Sequence, residues 1–215
     1  HEPASMEEAK MARKRMIFEE FFTFALGLSM ARAQNAQSPA IPCEKNDISR
    51  LTDGLPYALT GAQKRVIDDI RADMAKSVAM NRMVVGDVGS GKTVCAAAAM
   101  LIAAQNGRQA ALMAPTEILA RQHHADLSAI FAPLGIRCEL LIGATSASEK
   151  KRIKSGLCAK EPEERIQMVV GTQALLSEGV SFAAPGLVVT DEQHRFGVRQ
   201  RATLAERTPC PICWS

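Results

Sequence analysis

The chain predicts an α/β domain built on a central parallel sheet, and three observations predict it. Residues Gly86 to Thr93 read Gly-Asp-Val-Gly-Ser-Gly-Lys-Thr and fit the phosphate-loop pattern G-x-x-x-x-G-K-[ST]. From residue 55 onward, short apolar runs alternate with helix-prone stretches, as strands joined by crossover helices do. One such run, Leu187-Val188-Val189-Thr190, ends on Asp191 and Glu192, and open α/β sheets bind ligands at such strand ends.

The first element, residues 1–36, reads as a long helix. Ser5 and Glu8 form a capping box, and Met16, Phe18, Phe22, Leu26 and Met30 recur mostly four apart. A signal peptide is the rival reading, because Arg13, Lys14 and Arg15 precede apolar residues and Ala31-Arg32-Ala33 imitates a cleavage site. Glu19 and Glu20 interrupt the apolar stretch, so a docking helix is the better expectation. No stretch is long and apolar enough to span a bilayer. Residues 37–54, with Pro39, Pro42, Asp53 and Gly54 and no sustained period, read as a linker.

The ATP-binding domain is expected over 55–206. Thr60 and Gln63 make a second capping box, and Val66, Ile67, Ile70 and Met74 line one helical face behind it. Strands are predicted at 82–85, 109–114, 137–142, 167–170 and 187–190, with helices at 93–104, 117–131 and 146–159. Strands alternating with helices imply a parallel sheet covered on both faces. In the phosphate loop, strand, glycines and helix follow in the order the chemistry needs, since a helix N-terminus favours an anion.

Bulk composition constrains function only loosely. A net charge of +3 and a pI near 8.6 neither demand nor exclude nucleic acid. Aromatic residues are 4%, and four of the seven Phe lie together at 18, 21, 22 and 24, which argues against a base-stacking platform. Cys95 and Cys138 fall in apolar runs and read as core residues. Cys210 and Cys213 have zinc-ribbon spacing without a second pair, and a half-site holds zinc poorly. Scattered thiols with nucleotide chemistry point to a cytoplasmic protein.

The chemistry-bearing residues follow from the two motifs. Gly86, Gly89, Ser90 and Gly91 are expected to cradle the phosphates of ATP, with Lys92 bridging its β- and γ-phosphates. The Thr93 hydroxyl and the Asp191 carboxylate are expected to hold Mg²⁺, and Glu192 to orient and deprotonate the attacking water. Thr116 and Thr172 follow strands and suit helix capping; the same position aims hydroxyls toward a nucleic-acid backbone, and both readings stay open. The run Lys150, Lys151, Arg152 and Lys154 reads as a solvated helix face, and His123-His124 as surface or packing residues.

Four strings carry a resemblance. Leu59-Thr60-Gly61-Ala62-Gln63, the loop at 86–93, Met113-Ala114-Pro115-Thr116-Glu117-Ile118-Leu119-Ala120 and Asp191-Glu192-Gln193-His194-Arg195-Phe196-Gly197-Val198 closely resemble the RecG-type branch of the superfamily-two DNA helicases. The resemblance runs from the N-terminal helix to about Glu206 and implies a RecA-like P-loop motor domain. It implies ATP-driven remodelling of branched or forked DNA in recombination and fork repair, with Gln63 reading adenine. It further implies that Thr116 and Thr172 touch DNA, that Gln193 and His194 couple hydrolysis to movement, and that residues 1–36 connect to a wedge domain. The chain departs from the family at Gln173, where a His is usual, and at Ile142, where a Thr is usual.

Neither the wedge domain nor a second motor domain is present in these residues, and the tail 207–215 fits no continuation of the family. Shifted by one base, its back-translation can encode Asp-Ala-Val-Pro-His-Leu-Leu-Val, like the strand expected next. A frameshifted or truncated fragment, inactive in unwinding by itself, is the resulting expectation. Two rivals remain open: a nucleotide- or DNA-binding remnant without turnover, and a P-loop small-molecule kinase.

Overall fold

The computed structural model describes residues 39–87, 89–191 and 211–214, and positions 6, 7, 10, 13–16, 18, 19, 21–23, 25 and 26. Two compact units divide at Ser38 and Pro39. The described positions of the first unit are helical. Arg15 pairs with Glu19 one turn on, at 2.9 Å, and the rings of Phe18 and Phe22 stack with centroids 6.0 Å apart. Phe18, Phe21 and Phe22 are exposed. The Ser5–Glu8 capping box and Phe24 lie outside the described residues.

The second unit opens with α1 (Ser49–Asp53) and α2 (Gly61–Met74). Residues 39–54, which read as a linker, carry Cys43 and Leu51 into the core, and Pro39 bridges to Val78. Such isolated apolar residues have no period to betray them. At the start of α2, the Thr60 hydroxyl accepts from Gln63 N while the Gln63 side chain accepts from Thr60 N, the reciprocal cap the spacing predicts.

The sheet then builds strand by strand: β1 (Arg82–Val84), β2 (Gln109–Met113), β3 (Cys138–Leu141), β4 (Met168–Gly171), β5 (Pro185–Thr190) and β6 (Pro211–Trp214). All pairs are parallel, in the order β1-β6-β5-β2-β4-β3. Between them run α3 (Lys92–Gln105), α4 (Glu117–Phe131) and α5 (Ala147–Cys158). The tail thus contributes β6, seated between β1 and β5.

Alternation along the strands creates two cores. Ala110 and Leu112 of β2, Met168 and Val170 of β4, and Leu187 and Val189 of β5 face α2, α3 and α4. Their neighbours Ala111, Met113, Val169 and Val188 face Ile153 and Leu157 of α5, with Leu175 and Val180. The α3 helix is apolar on every side from Val94 to Ala104 because it is enclosed by α2, α4 and the sheet. Its small alanines let those layers approach closely. Among the described residues no helix is long and apolar enough to cross a membrane.

Candidate nucleotide and nucleic-acid site

Parallel strands end together, so β1, β5, β2, β4 and β3 raise their C-terminal ends along a single rim. The phosphate loop follows β1. Gly89 and Gly91 hold φ of 82° and 75°, left-handed values that glycine adopts freely. Gly91 is the N-cap of α3, so the helix begins directly at Lys92 and Thr93, whose backbone N–H groups lie in the first turn. Across the turn Ser90 N donates to Asp87 O at 3.1 Å. The Lys92 ammonium donates to the carbonyls of Gly86 and Asp87, the latter at 3.4 Å, and is thus folded over its own loop.

Gln63 reaches this loop from α2. Its Oε1 accepts from Thr60 N at 2.9 Å, and its Nε2 donates to Ser90 O at 3.0 Å. The residue expected to read adenine is therefore hydrogen-bonded to the phosphate loop at one end and to its own helix cap at the other.

On the same rim β5 ends at Asp191, whose backbone N–H donates to Met113 O of β2 at 2.9 Å. Two strand spacings separate β1 from β5, about 10 Å. One Asp191 carboxylate oxygen lies 2.7 Å from His123 Nε2 of α4, and both side chains are largely buried. Sequence spacing gave His123 no carboxylate partner because Asp191 lies 68 residues away. They come together because β5 pairs with β2, the strand that leads into α4. The neighbouring His124 instead contacts Cys138 O at 2.9 Å and ties α4 to β3.

Further along the rim, Thr116 caps α4 by accepting from Leu119 N, and Thr172 accepts from Ala174 N at the start of the short helix Gln173–Leu176. Glu117 accepts from Ala144 N at 3.1 Å, and Lys150 Nζ donates to Gly143 O at 2.6 Å, closing the loop after β3. Within the basic run Arg152 pairs with Glu139 at 2.7 Å and Lys154 donates to Glu178 O at 2.7 Å, while Lys151 is exposed. Thr116 and Thr172 hence stand on adjacent strands, beyond Asp191 as seen from the phosphate loop. Val88, Glu192, Gln193 and His194 lie outside the described residues.

The oxygen donors at the rim suit a hard cation. Thr93 offers a hydroxyl and Asp191 a carboxylate, the ligand types magnesium takes when it also keeps waters and phosphate oxygens. A glycine loop opening a buried helix, with an acid ending another strand of the same parallel sheet, defines a P-loop nucleotide-binding domain.

The model of the DEAD/DEAH box helicase family matches residues 60–209, and the chain belongs to that family. Within it the resemblance to RecG holds. The chain is 44% identical over 214 residues to the ATP-dependent DNA helicase RecG of Synechocystis sp., covering 98% of the chain and 25% of that protein. The RecG of Bacillus subtilis is 42% identical, with 98% and 31% covered, and that of Escherichia coli K12 is 45% identical, with 91% and 28% covered. The chain thus spans about a quarter to a third of the length of these relatives. A solved structure of RecG bound to a three-way DNA junction superposes with a TM-score of 0.82 at 39% identity, covering 100% of this chain and 29% of that one. The helicase MrfA bound to DNA and AMPPNP, at 19% identity and a TM-score of 0.61 over 83% of this chain and 27% of that one, shares the fold. The expected RecA-like architecture is thus the one the chain adopts.

Proposed function

We propose that this chain supplies the ATP-binding motor domain of a RecG-type helicase that remodels branched or forked DNA in recombination and fork repair. The observation that carries this reading is the common rim: Lys92 at the head of α3, Asp191 ending β5, then Thr116 and Thr172 on the strands beyond. A nucleotide side and a nucleic-acid side on one edge are what a motor requires, because turnover at one must be felt at the other.

In this reading the amides at the start of α3 and the Lys92 ammonium bind the triphosphate. Lys92 would exchange its loop carbonyls for phosphate oxygens. Thr93 and Asp191 would hold Mg²⁺, which when bound neutralises charge on the phosphates. Glu192 would orient and deprotonate the attacking water, and Gln193 and His194 would couple turnover to movement. Gln63 would contact adenine and, through Ser90, sense loop position. Thr116 and Thr172 would lend hydroxyls and helix N-termini to the DNA backbone. The proposed compartment is the cytoplasm, and the proposed partners are a second motor domain and a branch-binding wedge domain.

These residues match about a quarter to a third of the RecG relatives, so strand separation is proposed to need the remaining length. An arginine from a facing domain contributes about 10³-fold or more in related phosphoryl-transfer systems. ATP hydrolysis measured with and without forked DNA tests the reading. Turnover stimulated by DNA and abolished by Lys92→Ala is expected. Nucleotide uptake without any turnover, in a form carrying both motor domains, would replace the motor by a passive binding module.

A further inference from the structure

We propose that His123 is a positioning residue for Asp191, setting the rotation of its carboxylate and thereby the divalent-cation affinity of the nucleotide site. The inference rests on the reading of Asp191 as a magnesium ligand. Three observations carry it. His123 Nε2 stands 2.7 Å from Asp191 Oδ2, so a rotation of the carboxylate would break the contact. Neither partner is on a flexible surface, with side chains 18% and 21% exposed. His123 Nδ1, finally, is buried and has no hydrogen-bond partner among the described residues.

That last fact selects the tautomer. With the proton on Nδ1, the Nε2 lone pair would face carboxylate lone pairs, and the buried Nδ1–H would have no acceptor among the described residues. With the proton on Nε2, the ring donates to Asp191 and only an acceptor is left unpaired. The imidazole therefore presents a fixed N–H to the carboxylate. Two further contacts hold the pair in place: Asp191 N donates to Met113 O, and α4 is anchored at His124 to Cys138 O. Hydrogen bonds that orient metal-binding carboxylates are worth about 10- to 100-fold in metal affinity when removed. The donor, His123, sits on α4 two turns downstream of its cap Thr116, so cation affinity follows the placement of α4.

The test uses Mn²⁺ as the probe, with ADP, reading free Mn²⁺ by electron paramagnetic resonance. His123→Leu, which keeps bulk and removes the donor, is expected to weaken Mn²⁺ in the ADP complex about tenfold or more. ADP affinity measured in EDTA should stay unchanged. His123→Gln, whose amide can replace the Nε2–H, is expected to restore most of the loss. Thermal melting of each variant separates a folding defect from a cation defect, and the Gln variant keeps the comparison open if Leu fails to fold. Unchanged Mn²⁺ affinity in a folded Leu variant, or equal loss in Leu and Gln variants, would overturn the assignment. Absence of any cation-dependent ADP uptake in the unaltered protein would instead remove the underlying reading of Asp191.

Discussion

Gly91 holds its left-handed φ of 75° against the side chain of Gln63: a Cβ placed there would stand 2.5 Å from Gln63 Nε2. The loop is thus restricted twice, once by its own backbone and once by a residue of α2. Gly91→Ala should cost about 1–2 kcal/mol from the left-handed conformation alone, with the steric overlap added. Replacing Gln63 by Ala in the same chain removes the overlap and not the backbone strain. Urea denaturation of the two single variants and the double variant should show partial recovery in the double. Full additivity of the two losses would mean that Gln63 yields freely.

Gln109 is 1% exposed and joins three segments. Its Nε2 donates to Leu157 O at 3.0 Å and Ile166 O at 2.8 Å, and its Oε1 accepts from Ala184 N at 2.9 Å. A Gln109→Leu change takes their partner from Ile166 O and Ala184 N, while Leu157 O keeps the Ala183 N–H, and should destabilise the domain by about 2–4 kcal/mol. Denaturation midpoints report this directly; a loss under about 0.5 kcal/mol would show that the segments find other partners.

Burial pushes the Asp73 carboxyl up, but hydrogen bonds and charge from Lys76 and Arg82 outweigh it and hold it below its ordinary value of 3.8. The contacts are 2.8 Å to Lys76 Nζ and 2.5 Å to Arg82 Nη2. A depressed folded-state value means the contribution is present above the unfolded value and is lost as pH falls through the folded one. Stability measured from pH 6 down to pH 3 should therefore drop less steeply in Asp73→Asn than in the unaltered chain. Identical acid limbs would assign the drop to other carboxylates.

Thiol reactivity should map the core. Burial pushes Cys95 up to about 11, and burial with the Glu139 charge pushes Cys138 up to about 12, while Cys158 is exposed beside Ser181. Only the thiolate alkylates readily. Iodoacetamide at pH 8, followed by peptide mass mapping, should label Cys158 well ahead of Cys43, Cys95 and Cys138. Equal labelling of Cys138 would mean that the β3 edge opens readily.

Much of this architecture was legible because its signals are local. The phosphate loop, the two threonine caps and the Thr60–Gln63 box each depend on residues within a few positions, and all the caps form. Strand bounds came out within two residues, with α4 predicted over its full span. What escaped was the incorporation of residues 39–54, whose two buried residues lie eight positions apart, and the use of the tail as β6. A four-residue strand held on both sides by parallel neighbours needs no pattern of its own.

Order along the chain determined that a phosphate loop, a threonine-capped helix and an acid-ended strand exist, since each is specified by adjacent residues and backbone preference. Which strand lies beside which was a tertiary decision, because parallel pairing joins segments that share no sequence signal. That decision put β5 beside β2, and so brought Asp191 to His123 on the helix that follows β2, while the packing of α2 on α3 brought Gln63 to Ser90. Those contacts bind residues 68 and 27 positions apart, distances over which only packing of the whole sheet can act.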